Sequence, residues 1–197
     1  MIEEGQKAPA WTLLDQDGEQ VKLADFKGST VVLYFYPRAD TPGCTTQACG
    51  IRDRRADYDA AGAVVIGISP DGPAALRKFA DKHSLDFTLV GDPDHSVAEA
   101  YGTWVEKKNY GKTYMGIQRA TFIIDASGKI AKVFPKVSPK THDDVVLKAL
   151  SELADAAGEP YTAMWRQHRL HLLALHAEID AVTQTNHDIS RRGLASS

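Results

Sequence analysis

Short apolar runs alternate with longer amphipathic stretches along most of the chain. Thr30-Val-Val-Leu-Tyr-Phe-Tyr36 is β-branched or aromatic at nearly every position, the pattern of a strand buried on both faces. Ala63-Val-Val-Ile-Gly-Ile68 repeats that pattern, and Phe87-Thr-Leu-Val90 is a shorter version. Between the first two, residues 44 to 61 mix helix formers with charges and Gly62 supplies a stop, which predicts one helix. From Ala74 to His83, the residues Ala75, Leu76, Phe79 and Ala80 share one face of a second helix. Asp92-Pro93-Asp94 opens a short third helix ending near Gly102. Thr121-Phe-Ile-Ile124 and Ile130-Ala-Lys-Val-Phe134 flank Asp125-Ala-Ser-Gly128 as hairpin arms, and Thr12-Leu-Leu and Val21-Lys-Leu flank Asp15-Gln-Asp-Gly18 in the same way. Thr141 reads as an N-cap with Asp144 approximating a capping box. Val145, Val146, Ala149, Leu150 and Leu153 stripe the helix that follows, and Gly158 and Pro160 end it. The order predicts an α/β fold, a mixed sheet with helices on both faces.

Composition narrows the class. The chain has 197 residues, 23 of them basic and 26 acidic, for a formal net charge of −3. That balance argues against a nucleic-acid binder, which carries a basic excess or stripe. No apolar run approaches the roughly 18 residues that span a bilayer, and the start, MIEEGQKAPAW, is acidic where a signal peptide is basic and then apolar. A soluble, cytoplasmic protein is expected, with one domain over residues 1–157 and a helical extension over 158–197. Two cysteines are too few for a structural framework, so the thiols need another explanation.

Tyr36-Pro-Arg-Ala-Asp-Thr-Pro-Gly-Cys-Thr-Thr-Gln-Ala-Cys49 places Cys44 where a buried strand gives way to a loop and then a helix. In a first helical turn, backbone N–H groups lack helical partners and the macrodipole is positive; both favour thiolate over thiol. A lone cysteine is more often a small buried hydrophobe. The strand–loop–helix setting and a second cysteine five positions on reverse that preference. With no second cysteine pair, a structural zinc site is not expected. In a helix, positions five apart are separated by about 7.5 Å of rise, beyond the roughly 6.8 Å that a disulfide allows between Cα atoms. Either the two never pair, or pairing requires the first turns to unwind.

The run Pro37-x-x-x-Thr41-x-x-Cys44 resembles the active-site signature of the peroxiredoxins, thiol peroxidases on a thioredoxin-like fold. Thr41-Pro-Gly-Cys-Thr-Thr-Gln-Ala-Cys49 looks like their Q-type, or bacterioferritin-comigratory, subfamily. The similarity continues through Arg52-Asp53, Gly67-Ile-Ser-Pro-Asp71, Asp92-Pro93-Asp94, Tyr110-Gly-Lys-Thr-Tyr114 and Arg119-Ala-Thr-Phe-Ile-Ile-Asp125, and covers roughly residues 3 to 156. The resemblance implies a thioredoxin-like mixed sheet flanked by helices. It implies a peroxidatic Cys44, a resolving Cys49 and an intramolecular disulfide between them. Thr41 then orients thiolate and peroxide, Pro37 shields the sulfur, Arg119 stabilises thiolate and transferred oxygen, and the N–H groups around Gly43 assist. Hydrogen peroxide and organic hydroperoxides are the implied substrates and thioredoxin or a similar dithiol the reductant, with no cofactor and no metal. Two other readings stay open: a redox sensor acting through a partner, and a one-cysteine peroxidase with an idle Cys49. A thioredoxin-fold binding module with inert thiols is disfavoured by Pro37, Thr41, Cys44 and Arg119 occurring together.

Arg52, Arg54 and Arg55 read as a solvated face paired locally with Asp53, Asp57 or Asp59. Gln47, one turn after Cys44, is placed to hydrogen-bond the active-site loop. Past residue 157 the resemblance ends. Trp165, His168, Leu172, Leu175, Ile179 and Val182 form an a/d-like seam in a helix, with Arg166 and Arg169 early and Glu178, Asp180 and Asp188 late. Such a helix pairs antiparallel with a copy of itself, giving a homodimer, or packs on its own domain as a monomer; both stay open. His168, His171 and His176 read as a solvated face rather than a metal site, and residues 190–197 as disordered.

Overall fold

The structure, a computed structural model, describes residues 1–157. The expected tail helix, its seam, its histidines and its last residues lie outside them. Nine strands and five α-helices are described: β1 (Thr12–Asp15), β2 (Gln20–Lys22), β3 (Thr30–Phe35), α1 (Pro42–Asp53), α2 (Arg55–Ala60), β4 (Ala63–Ser69), α3 (Pro73–His83), β5 (Thr88–Gly91), α4 (Ser96–Ala100), β6 (Trp104–Asn109), β7 (Lys112–Ile117), β8 (Ala120–Ile124), β9 (Ile130–Phe134) and α5 (His142–Ala156). Seven strands form one sheet in the order β2-β1-β5-β4-β3-β8-β9. Its centre, β3, β4 and β5, is parallel, and β8 and β1 join antiparallel on either side. This is the expected mixed α/β sheet.

The all-apolar centre follows from burial on both faces. Alternate side chains of β3 divide between two cores: Val32 and Tyr34 face α1, α2, α3 and α5, while Val31, Leu33 and Phe35 face Trp11, Tyr101, Phe122 and the short α4. Register then does the functional work. β3 pairs with β8 through Phe35 and Ala120, so Arg119 sits one step beyond, where β3 empties into the loop that leads to α1 and Cys44. Residues 75 positions apart are thereby adjacent.

Two expectations need correction, and one pair of strands was not expected. The single helix over 44–61 is two, because the chain turns at Arg54, whose carbonyl accepts from both Asp57 and Tyr58; the turn aims α2 so that Tyr58 is fully buried. The helix opened by Asp92 begins at Ser96 instead. His95 is in the left-handed region (φ 63°), and the buried Asp92 carboxylate reaches forward to cap Val97 N–H (3.2 Å) and Ala98 N–H (2.8 Å). The hairpin β6–β7 had no counterpart in the sequence reading. Its side chains are largely exposed, so they carry no alternation of apolar and polar; its one local sign is Tyr110-Gly111, both at positive φ.

Candidate active site

β3 ends at Phe35, and residues 36–41 form a loop held from two sides. Asp71 of the β4–α3 connection accepts from Ala39 N–H (2.7 Å) and from Ser69 Oγ (2.8 Å). Asp40, itself at φ 58°, is gripped by Lys82 Nζ (3.0 and 2.8 Å) and His83 Nε2 (2.9 Å) at the end of α3. These bonds hold the Asp40 carboxyl below the usual carboxylate range, Lys82 contributing most. Pro37, half-buried, opens the loop. Thr41 is the N-cap residue of α1 and Pro42 follows at the first helical position, where its missing N–H costs nothing. Thr41 Oγ1 donates to Arg38 O (2.9 Å), so its lone pairs stay available as acceptors.

Cys44 therefore lies in the first turn of α1, as expected, and is 2 % exposed. Its sulfur accepts from Arg119 Nη2 at 3.2 Å. The other arm of the guanidinium, Nη1, donates to Gln47 Oε1. Gln47 thus serves Arg119 rather than the loop. The guanidinium lies over Gly43, where a Cβ would come within 3.4 Å of Nη2. Beneath the helix, Tyr34 and Tyr36 stack with centroids 5.3 Å apart. Burial raises the pKa of both hydroxyls, so they stay neutral beside the sulfur.

Arg119 also opens onto a groove of about 300 Å³ lined by Val105, Glu106, Lys107, Gln118, Lys136 and Val137. Gln118 Nε2 closes one side by donating to Pro135 O (2.6 Å). Burial and the charge of Arg119 lower the Lys107 pKa. The hairpin that escaped sequence reading therefore forms one wall of the site.

Cys49 is half-buried further along α1, and both cysteines are free thiols. In the intact helix their separation of five positions keeps them apart. Arg52 pairs with Asp53 (2.8 Å), Arg54 with Asp57 and Asp144, and Arg55 with Asp59 (2.8 Å). That is the local pairing expected, extended by Arg54 to α5. Sequence reading missed a buried chain behind α1. Tyr58 donates to Asp143 (2.6 Å), His142 Nδ1 lies 3.3 Å from the same oxygen, and His142 Nε2 is 3.0 Å from Thr121 Oγ1 on β8. No local pattern marks it, because its members are brought together only by packing. Among the described residues, no three His, Cys, Asp or Glu side chains gather as metal ligands, and no helix is long and apolar enough to cross a membrane.

A thiol in the first turn of a helix after a central strand, with an arginine from just before a neighbouring strand on its sulfur, defines a thiol-chemistry site on a thioredoxin-like sheet. The chain belongs to the AhpC/TSA family, whose model matches residues 4–133, and within it to the peroxiredoxins of the Bcp, or Q, type. It is an enzyme, a thiol peroxidase. It is 53 % identical over 153 residues to peroxiredoxin Bcp of Escherichia coli, a match covering 78 % of this chain and 98 % of that one. Against peroxiredoxin Bcp of Bacillus subtilis the identity is 48 % over 154 residues, with the same coverage of 78 % and 98 %. Among solved structures, the bacterioferritin comigratory protein of Xanthomonas campestris, studied for its alkyl peroxide reduction activity, superposes with a TM-score of 0.72. That match has 33 % identity and covers 77 % of this chain and 99 % of the other. A cysteine-to-serine mutant of Xylella fastidiosa PrxQ gives a TM-score of 0.74 at 27 % identity, covering 78 % and 98 %.

Proposed function

We propose that the chain reduces hydrogen peroxide and organic hydroperoxides in two thiol steps, with Cys44 as the attacking and Cys49 as the resolving cysteine. The Cys44 thiolate attacks the distal peroxide oxygen. A sulfur–oxygen bond forms as the oxygen–oxygen bond breaks, and the departing hydroxide or alkoxide leaves as water or the alcohol after taking a proton. The Cys44 sulfenic acid is then attacked by Cys49 sulfur, a disulfide forms and the oxygen leaves as water. A dithiol such as thioredoxin returns both thiols by exchange.

Each residue type suits its task. Arg119 offers several donors, so Nη2 can bond the sulfur and also the oxygen taking charge in the displacement. The N–H groups of Gly43 and Cys44 belong to the first helical turn, where backbone donors lack helical partners and can serve the same charge. Thr41 Oγ1, its proton spent on Arg38 O, accepts from the hydroperoxide O–H. Pro37 limits water at the sulfur. The open groove of about 300 Å³ beside Arg119 leaves space for an organic substituent.

What carries this reading is the 3.2 Å bond from Arg119 Nη2 to Cys44 Sγ in the first turn of α1. Its test is peroxide consumption under excess thioredoxin, thioredoxin reductase and NADPH. Many equivalents consumed per protein, and none by Cys44→Ser, are expected. Consumption that stops after a single equivalent would replace the catalyst with a sensor.

A further inference from the structure

Helix α1 has to open for its two cysteines to bond, and it is unevenly held. The buried side chains of its N-terminal half are Cys44, Gln47 and Ala48, so little apolar area fixes it. Its C-terminal half is pinned. Ile51 is fully buried, and Asp143 Oδ2 fills the space that a Cβ on Gly50 would need. Arg52 donates to the His83 carbonyl, and Arg54 joins Asp57 to Asp144. Besides that packing, the side-chain hydrogen bonds that tie the N-terminal half to the rest of the fold among the described residues are those of the Arg119 fork, Nη2 on Cys44 Sγ at 3.2 Å and Nη1 on Gln47 Oε1. Gln47 is 0 % exposed, and among the described residues its Nε2 has no hydrogen-bond partner. The wound helix thus carries one good bond and one unmet buried donor on the same carboxamide, and opening relieves the second.

We propose that Gln47 is a positioning residue for the resolving step, acting through Arg119 as a weak latch on the N-terminal half of α1. The inference rests on the assignment of Cys49 as the resolving thiol. A thiolate is a charged acceptor for Nη2 and a sulfenic acid is a neutral, weaker one. Oxidation of Cys44 therefore removes much of one arm of the fork and leaves the Gln47 bond to restrain the helix. A neutral carboxamide holds the guanidinium more weakly than a carboxylate would, so it releases the helix faster. The pinned residues from Gly50 onward set the limit of unwinding, just beyond Cys49.

The test compares Gln47→Glu, which offers Arg119 a charged acceptor, with Gln47→Met, which offers none. Each protein is oxidised with a single equivalent of peroxide, and conversion of sulfenate to disulfide is followed by rapid quenching and intact mass, so the first step does not enter. Gln47→Glu should slow the conversion about tenfold, the effect of exchanging a neutral for a charge-assisted hydrogen bond, and raise the sulfinate fraction under excess peroxide. Gln47→Met should speed it. Amide exchange at Thr46–Cys49 in the reduced proteins should shift in the same sense while the α3 amides stay put, which a general loss of stability would not produce. Conversion rates that match the wild type in both variants, or unchanged exchange at those amides, would overturn the latch. Exchange needs no disulfide, so it decides the latch by itself; a wild-type protein that makes sulfenate and no disulfide overturns the resolving assignment instead.

Discussion

Arg119 is the residue on which the site converges: one planar guanidinium reaches Cys44 with one arm and Gln47 with the other. A lysine would keep the charge and lose the fork. Ionisation by itself accounts for little of the catalysis, since a thiol of ordinary pKa near 8.5 is already about 3 % thiolate at pH 7. Full ionisation would thus gain about thirtyfold, less the nucleophilicity that falls with pKa. The rest must come from holding the peroxide in line and receiving charge on its oxygens. Arg119→Ala is therefore expected to cut kcat/KM with hydrogen peroxide by about a hundredfold or more, typical of losing a transition-state donor, and to stay impaired at pH 9. Recovery at pH 9 would mean that the guanidinium serves ionisation alone.

At the scale of elements, α1 is presented by its loop, and the loop is held by Asp71 and by Asp40. The Asp40 carboxyl is held below its ordinary value by the bonds from Lys82 and His83. A depressed folded-state pKa contributes stability that is complete above the unfolded value and is lost as pH falls through the folded one. Asp40→Asn should accordingly lower Tm at pH 7, and the gap to wild type should shrink progressively below about pH 3.9. A gap that persists unchanged in acid would place the clamp elsewhere. Elements with strong periodic burial were legible from sequence: β3, β4, α3 and the β8–β9 hairpin lie within a residue or two of expectation. The turn at Arg54 and the hairpin β6–β7 were not, since the first answers to the burial of Tyr58 and the second has little buried surface to imprint a pattern.

The whole molecule supplies what no segment holds. Parallel pairing of β3 with β4 and antiparallel pairing with β8 bring Cys44 and Arg119 together from 75 positions apart. Cys44 and its helix start could be read locally, and Arg119 was reached only through resemblance, because register is a property of the assembled sheet. The Gln47–Arg119 bond and the Thr121–His142–Asp143–Tyr58 chain escaped for the same reason: each joins elements distant in sequence through packing alone. The sheet also sets the central tension, a rigid platform carrying a helix whose two thiols cannot meet while it stays wound. The most direct test is the mass of the full-length protein after a single equivalent of peroxide, with peptide mapping under non-reducing conditions. The predicted product is lighter by two hydrogens and yields a peptide linking Cys44 to Cys49. A stable gain of one oxygen on Cys44, with Cys49 still open to alkylation, would contradict it.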